Sequence, residues 1–240
     1  MGTGPPGFRT KRIIAVFGGS PKQPILESAK ELGRLVAAHD QILLTGGTRP
    51  VLDSVKNAAI CGAGSSPWVG VDRKSPVRAE NSTESKRGLV ISSDLGHARN
   101  YLEACMCDAA VVLEGASGTL SELTCALSLG RPVGFVGPGW KEEYDLDDPM
   151  ALDQMAQRTA DKFGESSGAI KSLVDRDVLR SGLSRLPPYR YFDLGAEAKV
   201  IDWIKSVVPD GERFPGSLPK IQGYESVAAR YNEWLAEHTV

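Results

Sequence analysis

The 240-residue chain carries almost no excess charge: 28 Lys and Arg stand against 30 Asp and Glu, a formal net charge of -2 with histidines neutral. Proteins that coat nucleic acid present a basic surface, so this balance argues against a DNA or RNA partner. Histidines number three and cysteines four. Cys61, Cys105, Cys107 and Cys125 lie in or beside apolar helical segments, and buried, reduced thiols of a cytoplasmic protein are the expectation for all four. Cys105-x-Cys107 lacks the usual two-residue gap of a metal pair and no histidine cluster completes a site, so no metal is expected. There is no long apolar run to span a membrane or to form the core of a signal peptide, and no membrane partner is expected. Met1 to Arg12, rich in Gly and Pro, is read as a disordered leader. Neither G-x-G-x-x-G nor the Walker pattern occurs, which argues against ordinary dinucleotide or NTPase chemistry. No Ser, His and Asp grouping marks an acyl-transfer triad.

What is present is a repeated alternation. Ile13 to Phe17 is a continuous apolar run ending in Gly18-Gly19-Ser20-Pro21, and a helical pattern follows from about Pro24 to His39, with Leu26, Ala29, Gly33 and Val36 on one face. Ile42 to Thr45 repeats the arrangement, running into Gly46-Gly47-Thr48 and a helix near Pro50 to Cys61. Trp68 to Val71 reads as a third strand, and the polar, aperiodic stretch Asp72 to Arg87 as a flexible loop. Leu89 to Ser92, Ala109 to Leu113 and Pro132 to Val136 read as further strands, separated by helices over His97 to Cys107 and Thr119 to Leu129. Continuous apolar strands alternating with amphipathic helices predict an α/β, Rossmann-like, doubly wound parallel sheet with helices on both faces, spanning residues 13–208. Within it, Pro149 to Gly164 and Ser167 to Arg180 read as surface helices of an insertion at about 141–188. Tyr189 to Asp193 returns as a short strand and Ala196 to Val207 as a covering helix. Residues 209–240 read as a linker and a terminal helix whose Val227, Tyr231, Trp234 and Leu235 form an apolar stripe that docks on the body or on a partner subunit.

Sheets of this kind take ligands beyond the carboxyl ends of their strands, which gathers the loops at Gly18, Gly46 and Gly115 around one cleft. The richest loop is Glu114 to Glu122. Its glycines let backbone N–H groups approach an anion, and the helix that follows offers its unpaired first-turn donors and the positive end of its dipole. Gly115, Ser117, Gly118 and Thr119 are thus candidate phosphate ligands, supported by Gly18, Gly19 and Ser20 and by Gly46, Gly47 and Thr48. Arg99 lies near a helix start, where a cation opposes the dipole unless something negative compensates. A bound anion would do so, as would Glu103 four residues on. Glu122 has two readings: it closes a capping box with Thr119, or it faces the cleft as an acid, a base or a hydrogen-bond acceptor. His97 is read as a surface polar residue.

The run His97-Ala98-Arg99-Asn100, then Asp108-Ala109, then Gly115-x-x-Gly118-Thr119-x-x-Glu122, resembles the SLOG superfamily over roughly Ile13 to Val136. That superfamily includes the LOG phosphoribohydrolases and the molybdenum cofactor carrier proteins. LOG enzymes cleave the N-glycosidic bond of cytokinin nucleoside monophosphates with an arginine and a glutamate from motifs written M-H-x-R-K and P-G-G-x-G-T-x-x-E. The resemblance puts Arg99 and Glu122 at those catalytic positions and Gly115, Gly118 and Thr119 at phosphate-binding ones. Gly96 and Asn100 stand where LOG has Met and Lys, and Glu114 and Ala116 replace Pro and the second Gly. A carboxylate aimed at a phosphate repels it, and a methyl group obstructs close backbone approach. The Arg-Asn pair and the G-T-L-S-E ending are more similar to the carrier branch. The resemblance therefore implies a homo-oligomer that binds a small phosphorylated ligand, the molybdenum cofactor or a nucleotide, with a nucleoside 5'-monophosphate phosphoribohydrolase as the alternative.

Overall fold

The computed structural model describes residues 11–19, 22–46, 54–72, 88–93, 95–138, 140–143 and 187–208. The insertion helices and the terminal helix expected from the sequence lie outside these residues, as does the loop from residue 73 to 87. The chain order is β1 (Ile13–Phe17), α1 (Gln23–Ala38), β2 (Ile42–Thr45), α2 (Val55–Ala63), β3 (Trp68–Asp72), β4 (Gly88–Ser92), a 3-10 turn (Gly96–Ala98), α3 (Arg99–Met106), β5 (Ala109–Val112), α4 (Ser117–Ser128), β6 (Val133–Val136), α5 (Trp140–Glu143), β7 (Tyr189–Phe192) and α6 (Glu197–Val207).

All seven strands run parallel in the order β4-β3-β2-β1-β5-β6-β7. The first four are laid outward from β1 on one side; the chain then returns to place β5 against the other side of β1. That reversal opens a crevice between the loops after β1 and β5. Ile14 through Phe17 pair in register with Ala109 through Val112. The pairing continues past the strand ends: Leu113 N–H donates to the Phe17 carbonyl (2.9 Å) and Gly19 N–H to that of Glu114 (3.1 Å). Both glycine loops are thereby fixed side by side.

Every residue of β1, β2, β5 and β6 is buried, as strands covered on both faces must be. Side chains alternate between faces. Ala15 and Phe17 join Leu102, Ala104, Leu123 and Leu127 beneath α3 and α4. Ile14 and Val16 join Leu32, Val36, Ala59, Val200 and Ile204 beneath α1, α2 and α6.

Two elements and one cysteine differ from their sequence-based outlines. Helix α2 starts at Val55 rather than near Pro50, because Ser54 is extended and its hydroxyl accepts from Asn57 N–H (3.3 Å), an N-cap that defines the first turn. Cys61 is exposed, whereas Cys105, Cys107 and Cys125 are buried as expected; α2 turns Ala59 and Ala63 inward, which leaves Cys61 on its outer side. The four-residue α5 carries no periodic signal, yet it buries Trp140 against Phe135 at a centroid distance of 5.4 Å.

Candidate functional site

The turn after β5 is built to leave donors unpaired. Ala116, in extended conformation, is the residue before α4 and makes no side-chain cap, so the helix opens at Ser117 with its first-turn N–H groups directed out of the helix end. The capping box is therefore not formed. Thr119 lies inside the first turn and its side chain packs on Gly115: a β-carbon on Gly115 would overlap the Thr119 hydroxyl, reach Thr119 Cβ at 2.6 Å and Gly19 N at 2.9 Å. Gly19, Gly115 and Thr119 thus form one close-packed wall. Gly18 has a different job, since a β-carbon there would meet Val55 Cγ1 at 2.9 Å and Leu113 Cβ at 3.2 Å. It lets α2 pack on the sheet. Glu114 pairs with Lys22 at the start of α1 (2.5 Å), which engages the carboxylate beside the turn.

Behind this wall lies a buried charge cluster drawn from three helices. Arg99 is 2% exposed, and its Nη1 donates to the carbonyls of Gly46 (2.7 Å) and Val71 (3.2 Å) and to Glu103 Oε1. Its Nη2 stands 3.6 Å from Glu122 Oε1, and its Nε has no hydrogen-bond partner among the described residues. Lys56 of α2 reaches the same two acceptors, with Nζ 3.2 Å from the Gly46 carbonyl and 3.5 Å from Glu122 Oε1. Glu103 has no solvent exposure, and its Oε2 makes no hydrogen bond by distance among the described residues. Burial pushes its carboxyl up to about 8, helped by the charge of Glu122 and opposed by Arg99 and Lys56. Asn100, also fully buried, donates through Nδ2 to the Gly118 carbonyl (3.4 Å), tying α3 to the first turn of α4, while its Oδ1 has no partner among the described residues.

Two groups of the expected residues therefore come together. Gly19, Gly115, Gly118 and Thr119, with the backbone of Ser117, shape the turn; Gly46, Arg99 and Glu122 meet one helical turn deeper. Ser20, Gly47 and Thr48 lie outside the described residues. Arg99 pairs with Glu103, as one of its two readings expects, and it also faces Glu122. Lys56 was not singled out by sequence reasoning. Its only signal is that it is the one charged residue in α2, amid Val55, Ala58 and Ala59. A separate cavity of about 610 Å³ lies beside β7 and α6, near Arg190, Lys199 and Trp203. Its charged side chains are exposed, and it lacks the buried, incompletely paired polar groups found behind the turn.

The sequence profile described as the SLOG cluster4 family matches residues 11–170. An uncharacterized protein of Archaeoglobus fulgidus is 30% identical over 131 residues, which is 55% of this chain and 83% of that one. Two solved structures superpose on the fold. The molybdenum cofactor binding protein of the phototrophic bacterium Rippkaea orientalis does so with a TM-score of 0.53 at 22% identity, over 82% of this chain and 98% of that one. The molybdenum cofactor carrier protein of Chlamydomonas reinhardtii does so with a TM-score of 0.51 at 24% identity, over 82% and 99%.

Proposed function

The chain belongs to the SLOG cluster4 family, and we propose that it binds a small phosphorylated ligand in the crevice between the loops after β1 and β5. The observation that carries this is the uncapped start of α4, held against Gly19 and Gly115 where the strand order reverses. Amides of Ser117, Gly118 and Thr119 supply donors to a phosphate, and the helix dipole favours its charge. Arg99 and Lys56 add positive charge one turn deeper. The ligand is of the kind carried by the cofactor-binding proteins that share this fold, the molybdenum cofactor itself or a nucleotide. The protein acts as a cytoplasmic homo-oligomer with no nucleic-acid or membrane partner.

We favour binding over bond cleavage on a geometric ground. Both neighbouring cations stand against Glu122 Oε1, which engages the carboxylate as a charge partner within the cluster. On this reading Glu122 accepts a hydrogen bond from the ligand's hydroxyl or ring N–H.

The test is to incubate the protein with molybdopterin and with a panel of nucleoside 5'-monophosphates, following thermal stabilisation and release of free base together. Stabilisation by a phosphorylated member without base release is the expected result. Base release that disappears in Glu122→Gln would replace this reading with a phosphoribohydrolase, since glutamine cannot exchange a proton.

A further inference from the structure

We infer that Lys56 is the residue that discriminates phosphorylated ligands from their unphosphorylated counterparts, by swinging its ammonium group away from Glu122 to the ligand's phosphate. The inference rests on the phosphate-binding reading of this crevice and adds to it a specificity-determining residue from a third helix.

The four charged side chains behind the turn are held very differently. Side-chain exposure is 3% for Arg99, 2% for Glu122 and 0% for Glu103, but 19% for Lys56. Lys56 alone among them touches solvent appreciably, so it is the one an incoming ligand meets. Arg99 is locked by three acceptors on Nη1, two of them backbone carbonyls. Lys56 has two contacts among the described residues, at 3.2 and 3.5 Å, both long for a charged donor. An ammonium group has three donors, so Lys56 keeps hydrogen-bonding capacity to spare. Its four-carbon stem is flexible where the guanidinium of Arg99 is a fixed fork.

Gly46 makes this arrangement possible. A β-carbon there would overlap both Lys56 Nζ and Arg99 Nη1, and would lie 3.0 Å from Lys56 Cε. The two cations cross the bare backbone to reach one carbonyl and one carboxylate oxygen. Glu122 sits about one helical turn, roughly 5 Å, beyond the first-turn donors of α4. Rotation about the lysine stem spans that distance. Once Lys56 moves to a phosphate held at those donors, Glu122 Oε1 loses one of its two cations and can accept from the ligand. The favoured ligand class therefore has a phosphate monoester together with a nearby hydroxyl or N–H donor, as a nucleoside monophosphate or a phosphorylated pterin has.

The experiment measures binding of AMP, GMP, inorganic phosphate and adenosine by calorimetry at two salt concentrations. Wild type, Lys56→Met and Lys56→Arg are compared, with a urea midpoint for each as a check on folding. Lys56→Met is expected to weaken the phosphate-bearing probes by about tenfold or more, the scale of a lost charge-assisted hydrogen bond. It should also flatten their salt dependence and leave adenosine unchanged, while Lys56→Arg recovers most of the affinity. If wild type binds a phosphate-bearing probe and Lys56→Met binds it equally well with the same salt dependence, the role of Lys56 is refuted and the crevice reading stands. If Lys56→Met weakens adenosine and phosphate probes alike, the residue is structural and the inference is likewise overturned. If wild type binds none of the phosphate-bearing probes, the inference falls, and the crevice reading falls with it when molybdopterin also fails to stabilise the protein.

Discussion

Glu103 holds a carboxyl group with no solvent contact, one oxygen bonded to Arg99 and the other without a hydrogen bond by distance among the described residues. Burial raises its proton affinity above the ordinary carboxylate range, and the charge of Glu122 adds to this. The folded chain thus holds a proton on Glu103 more tightly than the unfolded chain does. Its contribution to stability is full below the ordinary value of 4.5 and is lost as pH rises through the window that ends at about 8. Replacing it by glutamine removes the titrating group while keeping the shape. Thermal midpoints measured across that window should fall with pH in wild type and fall less in Glu103→Gln; parallel curves would show that Glu103 does not set the slope. Gly115 offers a second test at this scale. Gly115→Ala must displace Thr119 or Gly19, since its β-carbon has no room between them. It should cost about 1–3 kcal/mol by overpacking, read from denaturant midpoints, and should abolish binding of phosphate-bearing probes; a variant as stable as wild type would contradict the close-packed wall.

Helices α1 and α2 approach through their backbones. A β-carbon on Gly33 would overlap the Ala59 carbonyl oxygen and lie 2.7 Å from its carbon, and one on Gly62 would do the same at Lys30. Neither glycine has a positive φ, so helix propensity alone favours alanine by about 1 kcal/mol. The backbone contact outweighs it: Gly33→Ala and Gly62→Ala are each expected to destabilise the fold, measured by urea unfolding, and a gain in stability in either would show the helices can separate at little cost. At this scale most of the architecture was legible. Continuous apolar runs gave β1, β2, β5 and β6 because strands buried on both faces need no alternation. Helix starts were less legible. Thr119 and Glu122 have capping-box spacing, but Gly115 draws Thr119 into the turn and the cations draw Glu122 into the interior, so α4 begins two residues earlier at Ser117.

For the whole molecule, the strand order decides where chemistry can occur. The reversal between β1 and β5 sets two glycine loops together, and α2, α3 and α4 each contribute a charged side chain behind them. Arg99 and Glu122 were legible because each belongs to a local motif. Lys56 was not, because it meets Glu122, 66 residues away in sequence, only where helices from opposite faces of the sheet come together. A phosphorylated ligand present at a hundred times its dissociation constant should stabilise the fold by about 2.7 kcal/mol, visible as a rise in melting temperature. That rise should shrink with added salt for wild type and less so for Lys56→Met.

The central claim is that backbone amides at the start of α4 grip a phosphate. It is tested most directly by titrating nitrogen-15-labelled protein with AMP and with inorganic phosphate while following amide resonances. The account predicts saturable shifts centred on Gly19, Gly115, Ser117, Gly118 and Thr119. Shifts confined to the cavity beside Arg190 and Trp203, or no saturable shift at these five amides, would contradict it.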